Sequence, residues 1–384
     1  VKVAVLGYGT VGAGVYSMLS NAPGMEAGPV LVRPGKAVEN FMVSDAALIF
    51  GDPTVDAVVE TLGGLDPAYS YGMRALEAGK HFITANKAMV AAHGLELAAL
   101  AREKGAAFLF SAACGGGVPF LHNLALSAET DRIEAVSGIL NGTTNYMLDA
   151  MQRRSLSYGD ALREAQSLGY AESDPTADVS GLDALRKMQL ACAVAFGVLP
   201  QSGMLCEGME HFTAADVEDI QSRGLVCRLM ARGSRAGESV SAYVEPVLFP
   251  RAAPESSVFT NNNMASYTGK RCGSIVLMGQ GAGRFPTASA VLRDLSAAQQ
   301  GARSMFPENC RAAEADNREA VHSYYIRTGG FAAVRLPLRS VLAQGEVVRA
   351  VTEPMSAEKM HALAQNIRKD GNDLFFAALE EKLC

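Results

Sequence analysis

The stretch from Ala165 to Lys187, AQSLGYAESDPTADVSGLDALRK, sets four carboxylates, Glu172, Asp174, Asp178 and Asp183, and one lysine, Lys187, into a segment that otherwise reads as ordered and half-buried. A carboxylate buried there without a partner carries a large desolvation cost. The arrangement therefore calls for a cation, either a cationic ligand or Lys187 itself. Asp174 before Pro175 reads as an N-cap acceptor followed by proline at the first helical position, and the apolar residues through Leu190 and Phe196 show where the helix runs. Asp183 and Lys187 are four residues apart and share a face. On a straight helix Asp178 and Asp183 stand roughly 140° apart. A break or close backbone contact at Gly181 between them would bring both carboxylates to one pocket. A solvated Asp183–Lys187 pair on an amphipathic helix is the plainer alternative, and the rest of the chain decides between the two.

The elements around that stretch carry a second chemistry. Val1 to Leu6 is a short apolar run fit for a buried parallel strand, and it leads through Gly7, Gly9 and Gly12 into a helical pattern at Val15, Met18 and Leu19. GxGxxG between strand and helix permits a tight turn and lets a pyrophosphate sit on the helix N-terminus. The next strand, Val30 to Val32, ends in Arg33 with Lys36 close behind, where an NAD enzyme carries a carboxylate for the ribose hydroxyl. An arginine there accommodates the 2′-phosphate of NADP. Asp56 to Thr61 reads as a strand followed by Gly63 and Gly64. His81 to Thr84 delivers Ala85, Asn86 and Lys87 to the same rim, ahead of a helix from Gly94 to Lys104.

The strand Ala107 to Phe110 runs into a loop, Ser111 to Pro119, whose carbonyls and amides suit a monovalent cation or a substrate. Cys114 in that loop is either a nucleophile for an aldehyde or a small buried thiol. Ile133 to Leu140 reads as a strand, and the turn Asn141-Gly142-Thr143-Thr144-Asn145 either caps a helix or holds polar groups of a ligand. Val226 to Ala231, Val240 to Leu248 and Ser274 to Met278 read as an antiparallel sheet in a second domain. Gly279 to Gly283 then precede a helix from Pro286 to Leu295 that returns to the first domain with a second glycine-lined contact to the cofactor. Beyond Arg303 the pattern suggests strands at Ser323 to Arg327 and Val347 to Val351 and a helix at Ala357 to Arg368, as a separate tail.

The 384 residues suffice for two or three domains. A net charge of -6 with no lysine- or arginine-rich block argues against nucleic acid and anionic membrane as partners. The uncharged stretch Gly105 to Leu121 holds four glycines and a proline, too broken for a spanning helix. No secretory signal opens the sequence. Seven scattered cysteines without a CxxC pair argue for reduced thiols in a cytoplasm.

Taken together these residues resemble the homoserine dehydrogenase family. Ala165 to Lys187 is similar to the family's signature, and Gly7 to Gly12, Thr84 to Lys87, Gly115 to Pro119, Asn141 to Asn145 and Gly281 to Gly283 fall where the family has its other motifs. The likeness covers roughly residues 1 to 300. It implies an α/β protein: a Rossmann-type doubly wound parallel sheet over residues 1–115, completed by a returning helix at about 280–302, with a second α+β substrate and dimerisation domain over 116–279. A short C-terminal segment, 303–384, bears a fragmentary likeness to an ACT-like regulatory module.

The family interconverts L-homoserine and L-aspartate 4-semialdehyde with NAD(P), on the route to threonine and methionine. Carried over, Lys187 resembles the catalytic lysine, Asp183 and Asp178 the acidic partners around lysine and substrate, Glu172 the ligand of the substrate ammonium, and Lys87 a second active-site lysine. Thr143 matches a position near substrate and nicotinamide. Thr10, Val11, Thr61 and Gly283 match cofactor positions beside Gly7, Gly9, Gly12 and Arg33. The family's cation loop often opens with a carboxylate where Ser111 stands here, and a sodium-like ion would use carbonyls at Cys114, Gly116 and Val118. A homodimer or dimer of dimers is implied. Two other readings compete: an aspartate-semialdehyde dehydrogenase-like enzyme using Cys114, and a non-catalytic NADP-sensing protein.

Overall fold

A computed structural model describes residues 1–333 and 335–380. The chain divides into two units. The first comprises 1–132, 189–199 and 279–311, and the second 133–188, 200–278 and 312–384.

In the first unit six parallel strands, β1 (Lys2–Leu6), β2 (Glu26–Leu31), β3 (Met42–Val43), β4 (Ala57–Glu60), β5 (His81–Thr84) and β6 (Phe108–Leu109), lie in the order β3-β2-β1-β4-β5-β6. This is the doubly wound order, whose direction reverses between β1 and β4 and places the ligand crevice at their carboxyl ends. Val3 to Leu6 and Ala57 to Val59 are wholly buried, as the unbroken apolar runs of a parallel sheet covered on both faces require. Helix Thr10–Leu19 packs against the returning helix Arg284–Gln299 so closely that a Cβ on Gly14 would lie 2.9 Å from the Arg284 backbone carbonyl. After that helix the chain lies beside β6, where the amide of Phe108 donates to the carbonyl of Arg303 at 2.8 Å.

Several expected boundaries move. The helix expected from Gly94 starts at Lys87, because the Asn86 side chain accepts the Met89 amide and caps it. The returning helix is longer than 286–295 at both ends. The first unit runs to Arg132 and not to 115: Val118 folds back on Gly115 and Phe120 on Val118, so the helix Phe120–Thr130 follows on from the loop.

The second unit holds a sheet whose strands run, across the sheet, Gly273–Gln280, Asn262–Gly269, Ile133–Ile139, Leu225–Ala236, Ser239–Pro250, Leu374–Leu379, Tyr324–Gly329, Val347–Thr352 and Leu338–Ala343. Its longest ladder is the hairpin from Leu225↔Pro250 to Ala236↔Ser239, closed by Gly237 at φ +62°. A two-residue hairpin turn favours such a left-handed residue because its twist matches that of the strands. The segment after Arg303 is not a separate tail. Leu374–Leu379 pairs in parallel with Ser239–Pro250 through Val247↔Ala378 and Leu248↔Leu379, and the other C-terminal strands extend the same sheet. All six residues of LFFAAL are buried, which suits an interior strand and not an edge. The C-terminal strands alternate with helices Gly330–Ala333 and Ala357–Lys369 in a βαββαβ order of the ferredoxin-like kind. The second helix lays Met360, Ala364 and Ile367 against Ile326, Ala350 and Phe376.

Among the described residues no helix is long and apolar enough to cross a membrane, and the described cysteines are free thiols. Cys384 lies outside the described residues.

Candidate functional site

The acidic stretch folds as two helices rather than one. Asp174 accepts the Thr176 amide and hydroxyl, a short helix runs Thr176–Val179, and a second helix runs Leu182–Phe196. Gly181 between them adopts φ +84°, and a Cβ there would lie 3.0 Å from Val244 and 3.1 Å from the Cys206 sulfur. Left-handed backbone and crowding together select glycine. The break lets one side chain reach both carboxylates. Asn141 Nδ2 donates to Asp178 Oδ1 at 2.7 Å and to Asp183 Oδ2 at 2.9 Å. Asn141 Oδ1 meanwhile accepts the Thr144 amide and caps the helix Gly142–Arg154.

One turn on from Asp183, Lys187 Nζ donates to Asp183 Oδ2 at 2.6 Å and to the Leu140 carbonyl at 2.6 Å. Both charged side chains are nearly buried, 11% and 12% exposed, so the solvated-pair alternative does not describe them. The Thr143 hydroxyl lies 2.5 Å from the Tyr170 carbonyl and 3.2 Å from Asp178 Oδ2. Burial raises the Asp178 pKa, and the neighbouring Asp183 charge adds to the rise while the Asn141 hydrogen bond opposes it. The Glu172 side chain is exposed, and its backbone carbonyl accepts Gln166 Nε2 at 3.1 Å. A lysine ammonium fixed by a carboxylate and a carbonyl can move a proton, and the further carboxylate and hydroxyl beside it, Asp178 and Thr143, can hold an ammonium-bearing substrate.

The first unit supplies a cavity of about 770 Å³ at the carboxyl ends of its strands, lined among others by Gly7, Gly9, Arg33, Lys36, Thr61 and Gly63. Gly7 takes φ +97°, and a Cβ on Gly12 would lie 2.1 Å from the Gly7 carbonyl oxygen. Thr61 Oγ1 donates to the Leu6 carbonyl at 3.0 Å and so ties the end of β4 to the end of β1. No side chain caps the helix that begins at Thr10 and Val11. Its first amides are therefore available to an anion, as in dinucleotide folds. Gly283, at φ +119°, caps the returning helix. Lys87 is the first residue of its helix and half-buried.

In the loop after β6, Cys114 is wholly buried, which favours the small buried thiol over the nucleophile. A Cβ on Gly116 would meet the Gly281 carbonyl at 2.4 Å, and the Val118 carbonyl accepts the Phe120 amide. The loop is anchored by a residue the sequence did not point to. Asp294, buried in the returning helix, accepts the Ser111 amide at 2.8 Å and its hydroxyl at 2.5 Å. Burial pushes the Asp294 carboxyl up to about 7 against these hydrogen bonds. Its folded pKa therefore lies above its unfolded value, about 3.9. The stability linked to this proton is fully present at low pH and is lost as pH rises toward and through 7. Asp294→Asn is expected to remove this dependence. Melting temperatures at pH 5 and pH 8 should then differ less in the variant than in the unsubstituted chain, and an unchanged difference would refute the assignment.

A doubly wound sheet with a glycine-lined dinucleotide crevice, and a lysine held among carboxylates, define a nicotinamide-dependent oxidoreductase. Comparison with known proteins gives the family. The family described as "Homoserine dehydrogenase, NAD binding domain" matches residues 7–111, and that described as "Homoserine dehydrogenase" matches residues 119–296. Homoserine dehydrogenase from Corynebacterium glutamicum is 38% identical over 316 residues, 77% of this chain and 71% of that protein. The enzyme from Synechocystis is 37% identical over 319 residues, 77% of this chain and 72% of its own length. A homoserine dehydrogenase structure from Thiobacillus denitrificans aligns with a TM-score of 0.87 at 29% identity, over 99% of this chain and 98% of that one. The chain belongs to the homoserine dehydrogenase family.

Proposed function

We propose that the chain interconverts L-homoserine and L-aspartate 4-semialdehyde, with NADP as the preferred dinucleotide. The observation that carries the reading is the Lys187 ammonium held at 2.6 Å from both Asp183 Oδ2 and the Leu140 carbonyl. When bound, the dinucleotide supplies or accepts the hydride. Lys187 gives a proton to the alkoxide oxygen as the aldehyde is reduced and takes it back in the oxidative direction, while Asp183 holds the ammonium in place. Glu172 and Asp178 bind the substrate ammonium, Thr143 contacts the substrate, and Lys87 acts as a second active-site lysine. Gly7, Gly9, Thr10, Val11, Gly12, Thr61 and Gly283 form the dinucleotide contacts, and carbonyls of Cys114, Gly116 and Val118 hold a monovalent cation. A homodimer forms through the second unit's sheet, whose edge strand Gly273–Gln280 leaves Val276 and Met278 exposed.

The deciding experiment follows the absorbance of reduced nicotinamide with homoserine as substrate, beside phosphate-dependent oxidation of the semialdehyde. Activity only in the second assay would favour the Cys114 reading, and activity in neither would favour a sensing protein. Cofactor choice rests on Arg33 and Lys36 in the cavity lining. A charge-assisted bond from arginine to a phosphate is worth roughly 1.5 to 3 kcal/mol, so NADP is expected to bind at least about tenfold more tightly than NAD. Arg33→Ala should weaken NADP selectively. Calorimetric titration of both dinucleotides checks this, and equal affinities in the unsubstituted chain would refute it.

A further inference from the structure

We propose that Glu60 is a positioning residue that sets, through one hydrogen-bond circuit, both the loop lining the dinucleotide cavity and the start of the helix that carries Lys87. Glu60 ends β4 and is wholly buried. Its Oε1 accepts the amides of Leu62 at 2.6 Å and Gly63 at 3.2 Å, and its Oε2 accepts the Thr84 hydroxyl at 2.5 Å. Thr84 stands opposite it on β5. The circuit continues from there. Thr84 Oγ1 accepts the Asn86 amide at 2.9 Å, and Asn86 Nδ2 donates to the Gly64 carbonyl at 2.6 Å. Asn86 Oδ1 accepts the Met89 amide at 3.1 Å and so fixes the helix start at Lys87.

A buried carboxylate is costly unless hydrogen bonds replace its water, and here three donors do so. The loop it holds needs restraint. Gly63 and Gly64 both have positive φ, and a Cβ on Gly63 would touch nothing within 4 Å, so neither backbone preference nor side-chain packing fixes the turn. Leu62 and Gly63 line the dinucleotide cavity. Two loops that follow adjacent parallel strands are therefore tied to one side chain. A carboxylate accepts from all three groups, whereas an amide would turn its Nε2 toward Thr84 Oγ1 and make that hydroxyl, which already takes the Asn86 amide, accept there instead of donate. The role through Lys87 rests on the proposed assignment of that lysine.

The test compares Glu60→Gln, Lys87→Ala and the double variant by kcat with homoserine, by fluorescence titration of NADPH and by melting temperature. Glu60→Gln is expected to lower kcat about tenfold and to weaken NADPH several-fold. In the Lys87→Ala background it should still weaken NADPH but lower kcat by less than about twofold. Thr84→Val, which leaves the two loop amides on Glu60, should lower kcat while NADPH affinity stays within about twofold, and it serves if Glu60→Gln does not fold. Wild-type kcat and affinity in Glu60→Gln with only a lower melting temperature would overturn the proposal, as would kcat losses that multiply in the double variant. If Lys87→Ala alone keeps full turnover, the assignment of that lysine fails, and with it the helix half of the proposal. NADPH affinity in Glu60→Gln then decides the loop half: weakened binding supports it and unchanged binding overturns it.

Discussion

Lys187→Ala is expected to lower kcat for homoserine oxidation by about two to four orders of magnitude while NADP affinity stays within about twofold. The lysine contacts Asp183 and the Leu140 carbonyl, all within the second unit, whereas the dinucleotide cavity is built from first-unit residues. On the role proposed for it, its loss removes a proton donor and none of the residues that line the dinucleotide cavity. The substitution also leaves Asp178 and Asp183 bridged by the Asn141 amide without the cation beside them, so some stability is lost as well. Lys187→Arg separates the two effects. A guanidinium restores the charge beside Asp183, but it does not release its proton at accessible pH. Recovered melting temperature with kcat still depressed assigns Lys187 to proton transfer. Near-normal turnover in the alanine variant would remove it from the mechanism.

The local parts of this site were legible in the chain. A glycine between Asp178 and Asp183 signalled a helix break, and an i,i+4 spacing signalled the Asp183–Lys187 pair, because both effects act within one or two turns. The GxGxxG between an apolar strand and a helix was equally local. Residues whose partners come from afar were not legible. Asn141 lies in a turn that reads as a helix cap or a ligand contact, and its bond to both carboxylates depends on residues 37 and 42 positions away. Asp294 is one polar residue of the helix expected over 286–295, yet it meets Ser111 across 183 residues. Glu60 reads as the polar end of a strand, and only the β4–β5 register puts Thr84 opposite it.

Among the strands the sequence did not show, two escaped for different reasons. Asn262–Gly269, NNMASYTG, has too many amides and hydroxyls for an alternating apolar pattern, and its place comes from pairing with Ile133–Ile139. Leu374–Leu379 is followed by Glu380, Glu381, Lys382 and Leu383, so its apolar run blends into a sequence of good helix formers. Its strand state is imposed by neighbours on both sides, which a local reading does not contain.

Gly12→Ala and Gly9→Ala are expected to differ in kind although both belong to the same fingerprint. A Cβ on Gly12 would lie 2.1 Å from the Gly7 carbonyl oxygen and 2.7 Å from Thr61 Oγ1. The first of these is backbone, so the helix start must withdraw by about an ångström to restore ordinary contact. Gly7, Thr61 and the helix amides then lose their common geometry. A misplacement of that size costs about a hundredfold where alignment matters. The melting temperature should fall too, since the strain exists without ligand. Gly9 is the contrast: its φ is -79°, open to any residue, and an added Cβ would have no neighbour within 4 Å. Gly9→Ala should therefore melt like the unsubstituted chain and yet bind NADP weakly, because its methyl intrudes only where the pyrophosphate must approach. Calorimetric titration and thermal melts of the two variants side by side test this. Wild-type NADP affinity in Gly12→Ala, or a melting temperature lowered as far in Gly9→Ala as in Gly12→Ala, would contradict the steric division of labour between the two glycines.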